Sequence, residues 1–534
     1  MKSTMMSVPL SINDIVARAR VLFPKSEVVS RLPDKSLRRH PYADVAARID
    51  ALAHALTALG VQRHDRVATL CWNHHAHLEC YFGIPLTGAV MHTLNLRLAP
   101  EEIGWIASHA EDRILVVDDI LLPLYREVAK HHAFEHVIVF PFSGAPVPNA
   151  FYDYERTITP HLGIPFTPKP HGENDPIAIC YTSGTTGRPK GVVYSHRSTL
   201  LHSLVACMPD SWALRGSDSI LPVTPMFHAN CWGAPYAALL TGASFVFPGP
   251  NLHPEDLLDL IAAEQPSLAL GVTTIWLGII QAMEVKPGKW TLPRGMRSVV
   301  GGSAVPESLI RAFAAHGVDV CQGWGMTETS PLATMSYMKP ELQEATMEEK
   351  FQRKALAGVP VPLVDLRLVG DAGEVKWDGN DVGEVQVRGP YVTGGYHDLP
   401  PDPDRHTADG WLRTGDVASM DALGYLRITD RTKDLIKSGG EWISSVELEN
   451  ALMAHPAIAE AAVIAVPHEK WLERPIACIV FKQGRTATPE ALNAHLAGHF
   501  AKWQLPDRYE ILDTIPRTST GKFWKLKLRE RFPK

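Results

Sequence analysis

An α/β fold is predicted for this chain of 534 residues. It would have a large N-terminal domain of helix-covered, mostly parallel sheets, a β-rich subdomain after it, and a small α+β domain at the C-terminal end. Three observations predict it. Between about residues 175 and 330, short β-rich apolar runs alternate with amphipathic stretches of helical length, the pattern of a parallel sheet covered by helices. Past residue 357, β-rich segments are separated by Gly, Asp and Pro, which suits strands joined by turns. Past residue 430 the pattern changes again, to a mixture of short helices and strands.

In order, residues 42–59 read as a helix and 67–71 as a strand, so the N-terminal part shares the α/β pattern. Apolar residues 177–180 read as a buried strand, and Ser195-His196-Arg197-Ser198 starts a helix. Strands are expected at 219–223, 244–247, 268–272, 298–300 and 318–321. Between them, 254–264 opens with Pro254 followed by Glu255 and Asp256, and 306–316 opens alike and stops at Gly317, which are helix start and stop signals. Residues 364–369 and 383–387 are strand-like. In the last part, 446–454 and 489–500 read as helices and 461–466 and 476–481 as strands. The main boundary falls at Asp430-Arg431, giving domains 1–429 and 430–534; the second, of about 100 residues, is of ordinary domain size. No internal repeat is visible.

Composition excludes several classes. The chain is 45% apolar and 21% charged, as soluble globular proteins are. With 52 Lys and Arg against 58 Asp and Glu and no long basic block, nucleic acid is not an expected partner. The seven cysteines are scattered singly, which predicts reduced thiols in a cytoplasmic protein rather than a disulfide framework. Residues 1–9 lack the basic and apolar regions of a secretory signal. The longest apolar stretch, 268–280, is too short to span a bilayer; peripheral membrane contact is compatible with the sequence, and nothing in it demands one.

The run Tyr181-Thr182-Ser183-Gly184-Thr185-Thr186-Gly187-Arg188-Pro189-Lys190-Gly191 carries the most chemistry. Its glycines let the backbone curl so that N–H groups converge on anionic oxygens, its hydroxyls add donors, and Lys190 adds a mobile positive charge. It points to ATP, with a strand before the loop and a helix after it. It is not the common P-loop, because Arg188 and Pro189 separate Gly187 from Lys190 and Gly191 follows.

Four further segments follow. Gly323-Trp324-Gly325-Met326-Thr327-Glu328-Thr329 offers a hydroxyl and a carboxylate suited to a magnesium-bound triphosphate. Trp411-Leu412-Arg413-Thr414-Gly415-Asp416 places a carboxylate where sugar hydroxyls could donate. Residues Asp430 to Glu441 mix charges and glycines at the domain boundary. Pro516-Arg517-Thr518-Ser519-Thr520-Gly521-Lys522 sets one lysine on a hydroxyl-rich turn.

Together, in this order, the five segments resemble those of the adenylate-forming superfamily of acyl-CoA synthetases, luciferases and peptide-synthetase adenylation domains. The resemblance covers nearly the whole chain. It implies that a carboxylate attacks the α-phosphate of ATP to give acyl-AMP and pyrophosphate, after which a mobile C-terminal domain swings and the thiol of coenzyme A takes the acyl group. By the same resemblance, Thr182 and Glu328 are the Mg2+ ligands and Ser183, Gly184, Thr185, Thr186 and Lys190 the phosphate loop. Thr327 is the α-phosphate contact, Ala229, Gly302, Gln322 and Gly323 line the nucleotide and acyl carboxylate, and Asp416 with Arg431 clamps the ribose. Lys522 is the adenylation lysine and Asp430 the hinge. Lys433, Lys437 and Trp442 are nucleotide contacts of the small domain, Lys437 with a catalytic part. Gly439-Gly440-Glu441 is the loop that replaces Lys522 for thioester formation.

Pro225-Met226-Phe227-His228-Ala229-Asn230-Cys231-Trp232-Gly233, with Lys437 to Ser444 and His468-Glu469-Lys470-Trp471, is similar to bacterial medium- and long-chain fatty acyl-CoA ligases, and 3-methylmercaptopropionate–CoA ligases share much of this pattern. The acid side then comprises His228, Trp232, Gly301, Ser303, Trp324 and Gly325. Trp232 would gate an acyl tunnel walled in part by 270–280, and Trp324 would lie beside the acyl chain. Against these stand plain packing roles for both tryptophans. Other activities of the superfamily are ligation of short, branched or aryl acids, loading of a carrier protein by a free-standing enzyme, and luciferase-like oxygenation. A homodimer is implied by analogy alone. His74, His75 and His77 with Cys71 and Cys80 match no standard zinc spacing, and Lys525, Lys527, Arg529, Arg531 and Lys534 read as a solvated face.

Overall fold

The computed structural model describes residues 1, 3–182, 188–431, 434–438, 441–519 and 521–533, with the side chain of Glu441 excepted. The chain forms two compact units. The first comprises residues 1–270, 325–332 and 390–401; the second comprises 271–324, 333–389 and 402–534.

In the first unit a seven-stranded sheet runs in the order Tyr152–Asp153, His136–Phe140, Asp112–Asp118, Arg66–Leu70, Val90–Thr93, Pro176–Tyr181, Gly191–Ser195. All neighbours are parallel except the last pair, an antiparallel hairpin in which Tyr181 faces Gly191. The central strands are buried along nearly all their length because helices cover them, as parallel strands require. Residues 268–270, Ser219–Pro222, Ser244–Phe247 and Glu27–Arg31 form a second parallel array, closed by the antiparallel strand Leu37–Pro41. The helix Tyr42–Ala58 packs on His75–Leu86.

The predicted helix after the phosphate loop is His196–Cys207, and Ser195 and Ser198 cap it reciprocally. Between loop and helix, however, lies the strand Gly191–Ser195, so strand–loop–helix is corrected to hairpin–helix. The strand is five residues long and exposes Val193, an edge position whose signal merges with its neighbours'.

The second unit contains the parallel pair Arg297–Gly301 and Asp319–Gly325, in which Gly301 faces Gly323. The helices Thr273–Val285 and Glu307–Ala315 meet edge to face through Trp276 and Phe313, with ring centroids 5.8 Å apart. The apolar stretch 268–280 is thus the strand Leu268–Val272 followed by a helix. The β-rich part is a five-stranded antiparallel sheet ordered Gly373–Glu374, Asp365–Gly370, Gly383–Arg388, Leu412–Met420, Leu426–Arg431.

The last part is a sheet ordered Glu441–Ile443, Ile436–Ser438, Leu472–Phe481, Ile458–His468, with Arg508–Ile511 parallel to Leu472–Phe481. Ala461 and Val463 point into one core with Leu448 and Leu492, while Ala462 and Ile464 point into another with Leu512 and Leu528. Both faces of the strand are therefore buried, at the two-residue period of β-structure.

The final helix, Lys525–Arg531, corrects the reading of a solvated basic face at Lys525 and Arg529, while Lys527 and Arg531 are exposed as read and Lys534 lies outside the described residues. Lys525 is half-buried and pairs with Glu449 at 2.7 Å, and Arg529 pairs with Asp434 at 2.6 Å. Lys525, Leu528 and Arg529 share one side of the helix by its 3.6-residue period, and that side faces inward. Among the described residues no helix is long and apolar enough to cross a membrane.

Candidate active site

In the first unit the base of the phosphate loop is closed by two hydrogen bonds. The Thr182 N–H donates to the Lys190 carbonyl at 2.9 Å, and the Lys190 N–H donates to Thr182 Oγ1 at 3.1 Å. Residues 183–187 lie outside the described residues, and with them Ser183, Gly184, Thr185 and Thr186; so do Lys433, Gly439 and Gly440.

Thr327 and Glu328 sit on the one-turn helix Thr327–Thr329, both buried. Tyr194 Oη donates to the Thr327 carbonyl at 2.7 Å. Gly325 is required sterically, because a Cβ there would lie 1.7 Å from the Pro331 carbonyl oxygen. The Glu328 carbonyl accepts from Thr393 N–H at 2.8 Å, and its carboxylate accepts from Tyr396 Oη at 2.9 Å. Lys190 Nζ stands 4.8 Å from the centre of the Tyr396 ring.

The segment carrying Trp232 has an uncommon backbone. Ala229, Asn230, Cys231 and Trp232 are all left-handed, with φ of 42°, 50°, 55° and 57°. This conformation costs roughly 1–2 kcal/mol per non-glycine residue, so the surrounding packing must enforce it. All four residues are buried, Cys231 Sγ donates to the Thr224 carbonyl, and Asn230 Oδ1 accepts from Cys180 Sγ at 3.2 Å. His228 opens the turn, its carbonyl accepting from Cys231 N–H at 3.0 Å.

In the second unit Asp416 and Arg431 are cross-strand neighbours, 3.2 Å apart from Nε to Oδ1. The other Asp416 oxygen accepts from the Trp324 indole N–H at 3.1 Å, so this carboxylate orients the tryptophan as well. Gln322 Oε1 accepts from Val305 N–H at 3.1 Å, and Ser303 Oγ donates to Thr273 Oγ1 at 3.0 Å. Gly302 has φ +87° and would place a Cβ 3.3 Å from Lys522 Cε, so it makes room for the lysine chain. Beside it, Thr274 Oγ1 donates to the Gly521 carbonyl at 3.2 Å.

Asp430 is buried, its oxygens accepting from Arg431 N–H at 2.8 Å and Ser445 N–H at 2.9 Å. The Lys437 ammonium lies 4.5 Å from the centre of the exposed Trp442 ring, and its N–H donates to Glu473.

These arrangements suit polyphosphate and nucleoside chemistry, and comparison with known proteins agrees. Residues 18–397 match the AMP-binding enzyme family, and residues 447–522 match the AMP-binding enzyme C-terminal domain. The chain belongs to the AMP-binding enzyme family. A long-chain-fatty-acid–CoA ligase of Thermus thermophilus is 49% identical over 99% of this chain and 97% of its own length. A 3-methylmercaptopropionyl-CoA ligase of Ruegeria pomeroyi is 41% identical, covering 100% and 99%. The crystal structure of the anthranilate CoA ligase AuaEII with anthranoyl-AMP superposes with a TM-score of 0.87 at 25% identity, covering 99% of each chain. The resemblance drawn from five motifs is therefore correct, and the fold is the two-domain α/β fold of this family.

Three residues of this AMP-binding enzyme escaped the motif reading. Tyr396 is one. The other two, Trp105 and His109, lie one turn apart on the helix Pro100–His109 and hold both ends of the phosphate loop. His109 Nδ1 is 2.7 Å from Tyr181 Oη, and Arg188 lies over the Trp105 ring, 5.1 Å from its centre. The i, i+4 spacing is visible in the sequence, but nothing there says what the pair touches. The buried cluster of Cys71, His74 and Asp118 has atoms within 4.8 Å of one another. Both nitrogens of His74 are already bonded, to Asp118 Oδ1 at 2.8 Å and to His77 N–H at 3.3 Å.

Proposed function

We propose that this protein is an ATP-dependent fatty acid–CoA ligase of medium to long chain preference, acting in the cytoplasm through an acyl-adenylate. A carboxylate oxygen bonds to the α-phosphorus as the bond to pyrophosphate breaks; the thiol sulfur of coenzyme A then bonds to the acyl carbon as AMP leaves. The observation that carries this reading is the placement of Lys522 along Gly302, supported by near-complete coverage by a long-chain ligase. A cation at that position suits the anion that forms in adenylation and acts by preorganised electrostatics.

Thr182 and Glu328 offer a hydroxyl and a carboxylate, hard oxygen donors that fit Mg2+. Bound there, Mg2+ supplies charge neutralisation for the triphosphate. Lys190 and the loop hydroxyls would hold the departing pyrophosphate, and Asp416 with Arg431 the ribose. We place the hinge at Asp430, with 430–534 moving between steps so that residues 439–441 replace Lys522. Lys437 and Trp442 would then contact the nucleotide. Trp232 is assigned as the tunnel gate, and a homodimer is proposed by analogy with related ligases.

The test is CoA-dependent AMP release with propionate, methylmercaptopropionate, octanoate, palmitate and benzoate. Octanoate and palmitate should be preferred, kcat/KM rising by up to about fourfold per buried methylene, the equivalent of ~0.8 kcal/mol. Preference for methylmercaptopropionate would establish the second reading, which the Ruegeria relative favours. Pyrophosphate release without CoA-dependent turnover would point to a carrier protein as acceptor.

A further inference from the structure

Tyr396 lies in a segment tied on both sides to residues that handle phosphate. Upstream, Thr393 N–H donates to the Glu328 carbonyl at 2.8 Å; downstream, His397 N–H donates to the carbonyl of Gly191, next to Lys190, also at 2.8 Å. Thr393 Oγ1 tightens the turn between them by donating to the Gly395 carbonyl at 2.6 Å. Within these anchors the Tyr396 phenol donates to Glu328 Oε1 at 2.9 Å while its ring faces the Lys190 ammonium at 4.8 Å. One side chain thus touches both the carboxylate assigned to the metal and the cation assigned to the phosphates.

We propose that Tyr396 is a positioning residue for adenylation: its hydroxyl fixes the Glu328 carboxylate for the metal, and its ring holds the Lys190 ammonium aside until the phosphates take it. This rests on the assignment of Glu328 and Lys190 given above. The terminal torsion of a glutamate is broad, so a donor on one oxygen selects an orientation that would otherwise be lost on metal binding. An ionised carboxylate has about four acceptor positions, and the phenol uses one, leaving the second oxygen open to a cation. The ring solves a second problem. A lysine beside Glu328 would pair with it and compete with the metal, whereas the aromatic face holds the ammonium more weakly than charge-assisted bonds to phosphate do. Arrival of the triphosphate therefore draws Lys190 off the ring.

Tyr396→Phe removes the hydroxyl and keeps the ring. On the full-length protein, ATP affinity is measured by calorimetry across a Mg2+ titration, beside Glu328→Gln. Tyr396→Phe should raise the Mg2+ concentration for half-maximal ATP binding by about tenfold. Binding in EDTA should be unchanged, and so should thioester formation from supplied acyl-AMP. Tyr396→Leu, which also takes the aromatic face away from Lys190, should further weaken ATP binding in EDTA or at low Mg2+, by competition of Lys190 for Glu328. If Glu328→Gln shifts the Mg2+ dependence and Tyr396→Phe does not, this proposal falls and the metal assignment stands. If neither shifts it, both fall. Equal loss of both half-reactions with a lowered Tm would reduce Tyr396 to a packing residue and overturn the proposal.

Discussion

Glu328 and Lys522 are assigned to the same chemical step, yet the fold mounts them in opposite ways. Glu328 is buried on a turn whose backbone is bonded to Thr393 and whose side chain is bonded to Tyr396, next to Gly325, which admits no side chain. Lys522 stands on a loop that closes on itself. Thr518 N–H donates to the Lys522 carbonyl at 2.7 Å, Lys522 N–H donates to Thr518 Oγ1 at 3.2 Å, and Gly521 N–H donates to the Thr518 carbonyl at 2.9 Å. When the Lys522 loop departs it gives up the Thr274 bond to the Gly521 carbonyl while its internal backbone bonds travel with it, whereas the Glu328 turn cannot move without breaking bonds to two other segments, at Tyr194 and at Thr393–Tyr396. The difference fits a carboxylate that must keep its place and a lysine that serves one step only.

The largest expected effect tests that division directly. Lys522→Ala should lower fatty-acid-dependent ATP–pyrophosphate exchange by at least about 10³-fold, the scale of losing a preorganised charge at a developing anion. Thioester formation from supplied acyl-AMP should stay within severalfold of the parent enzyme. Equal loss in the two assays would show that Lys522 is as fixed a part of the site as Glu328, and the contrast would disappear.

A smaller effect concerns the root of the same loop. Three residues beyond Lys522, the ammonium of Lys525 is held by Glu449 at 2.7 Å and donates to Ser445 Oγ. Burial pushes the Glu449 carboxyl up, and Lys525 opposes that shift. Lys525→Met leaves the carboxylate buried and unpaired, which should cost about 3 kcal/mol, while Lys525→Met with Glu449→Leu should recover most of the loss. Hydrogen exchange of the helix Ser445–Met453 reads the change locally. No recovery in the double variant would mean that the pair anchors the loop by more than charge compensation.

How much of this was legible depends on where the information lies. The strand at 244–247 and the helix Pro254–Glu264 were read with their bounds because the signals lie within each segment, a short apolar run in the first and a proline with an acidic first turn in the second. The five motifs carried the family because their residue types serve one chemistry in one order. Lys525 was misread because its charge was counted without its helical phase. The strand Gly191–Ser195 was missed because it is short and lies at an edge. Tyr396, Trp105 and His109 were beyond reach for another reason, since each acts through a contact between segments distant in the chain. The left-handed run from Ala229 to Trp232 carries no glycine to announce it, and only tertiary packing imposes it.

The smallest effect per group separates the two regions by acid. In the first unit burial pushes down the pKa values of several histidines, among them His77 to about 3, with the charge of His74 adding to the shift; His196 to about 4, with His171 adding; and His202 to about 3. Two of the rings accept a hydrogen bond that protonation would destroy: His202 Nε2 accepts from Leu332 N–H at 3.3 Å and His196 Nδ1 accepts from Ile12 N–H at 3.3 Å, while His77 Nε2 lies 2.9 Å from Thr69 Oγ1. The unfolded chain binds these protons below about pH 6.5 and the folded chain does not, so the stability they contribute is intact above that pH and lost as pH falls toward 3–4. The loss is up to about 1.4 kcal/mol per pH unit for each group. Denaturant unfolding followed by hydrogen exchange at pH 7.5 and pH 5 should show the Pro176–Tyr181 region weakening more than the helix Ser445–Met453. His202→Gln, which keeps an acceptor but cannot titrate, should flatten the acid slope by one proton's share. An unchanged slope would mean that His202 is not held neutral, and that the fixed region of the site does not owe its acid sensitivity to the packing around Leu332.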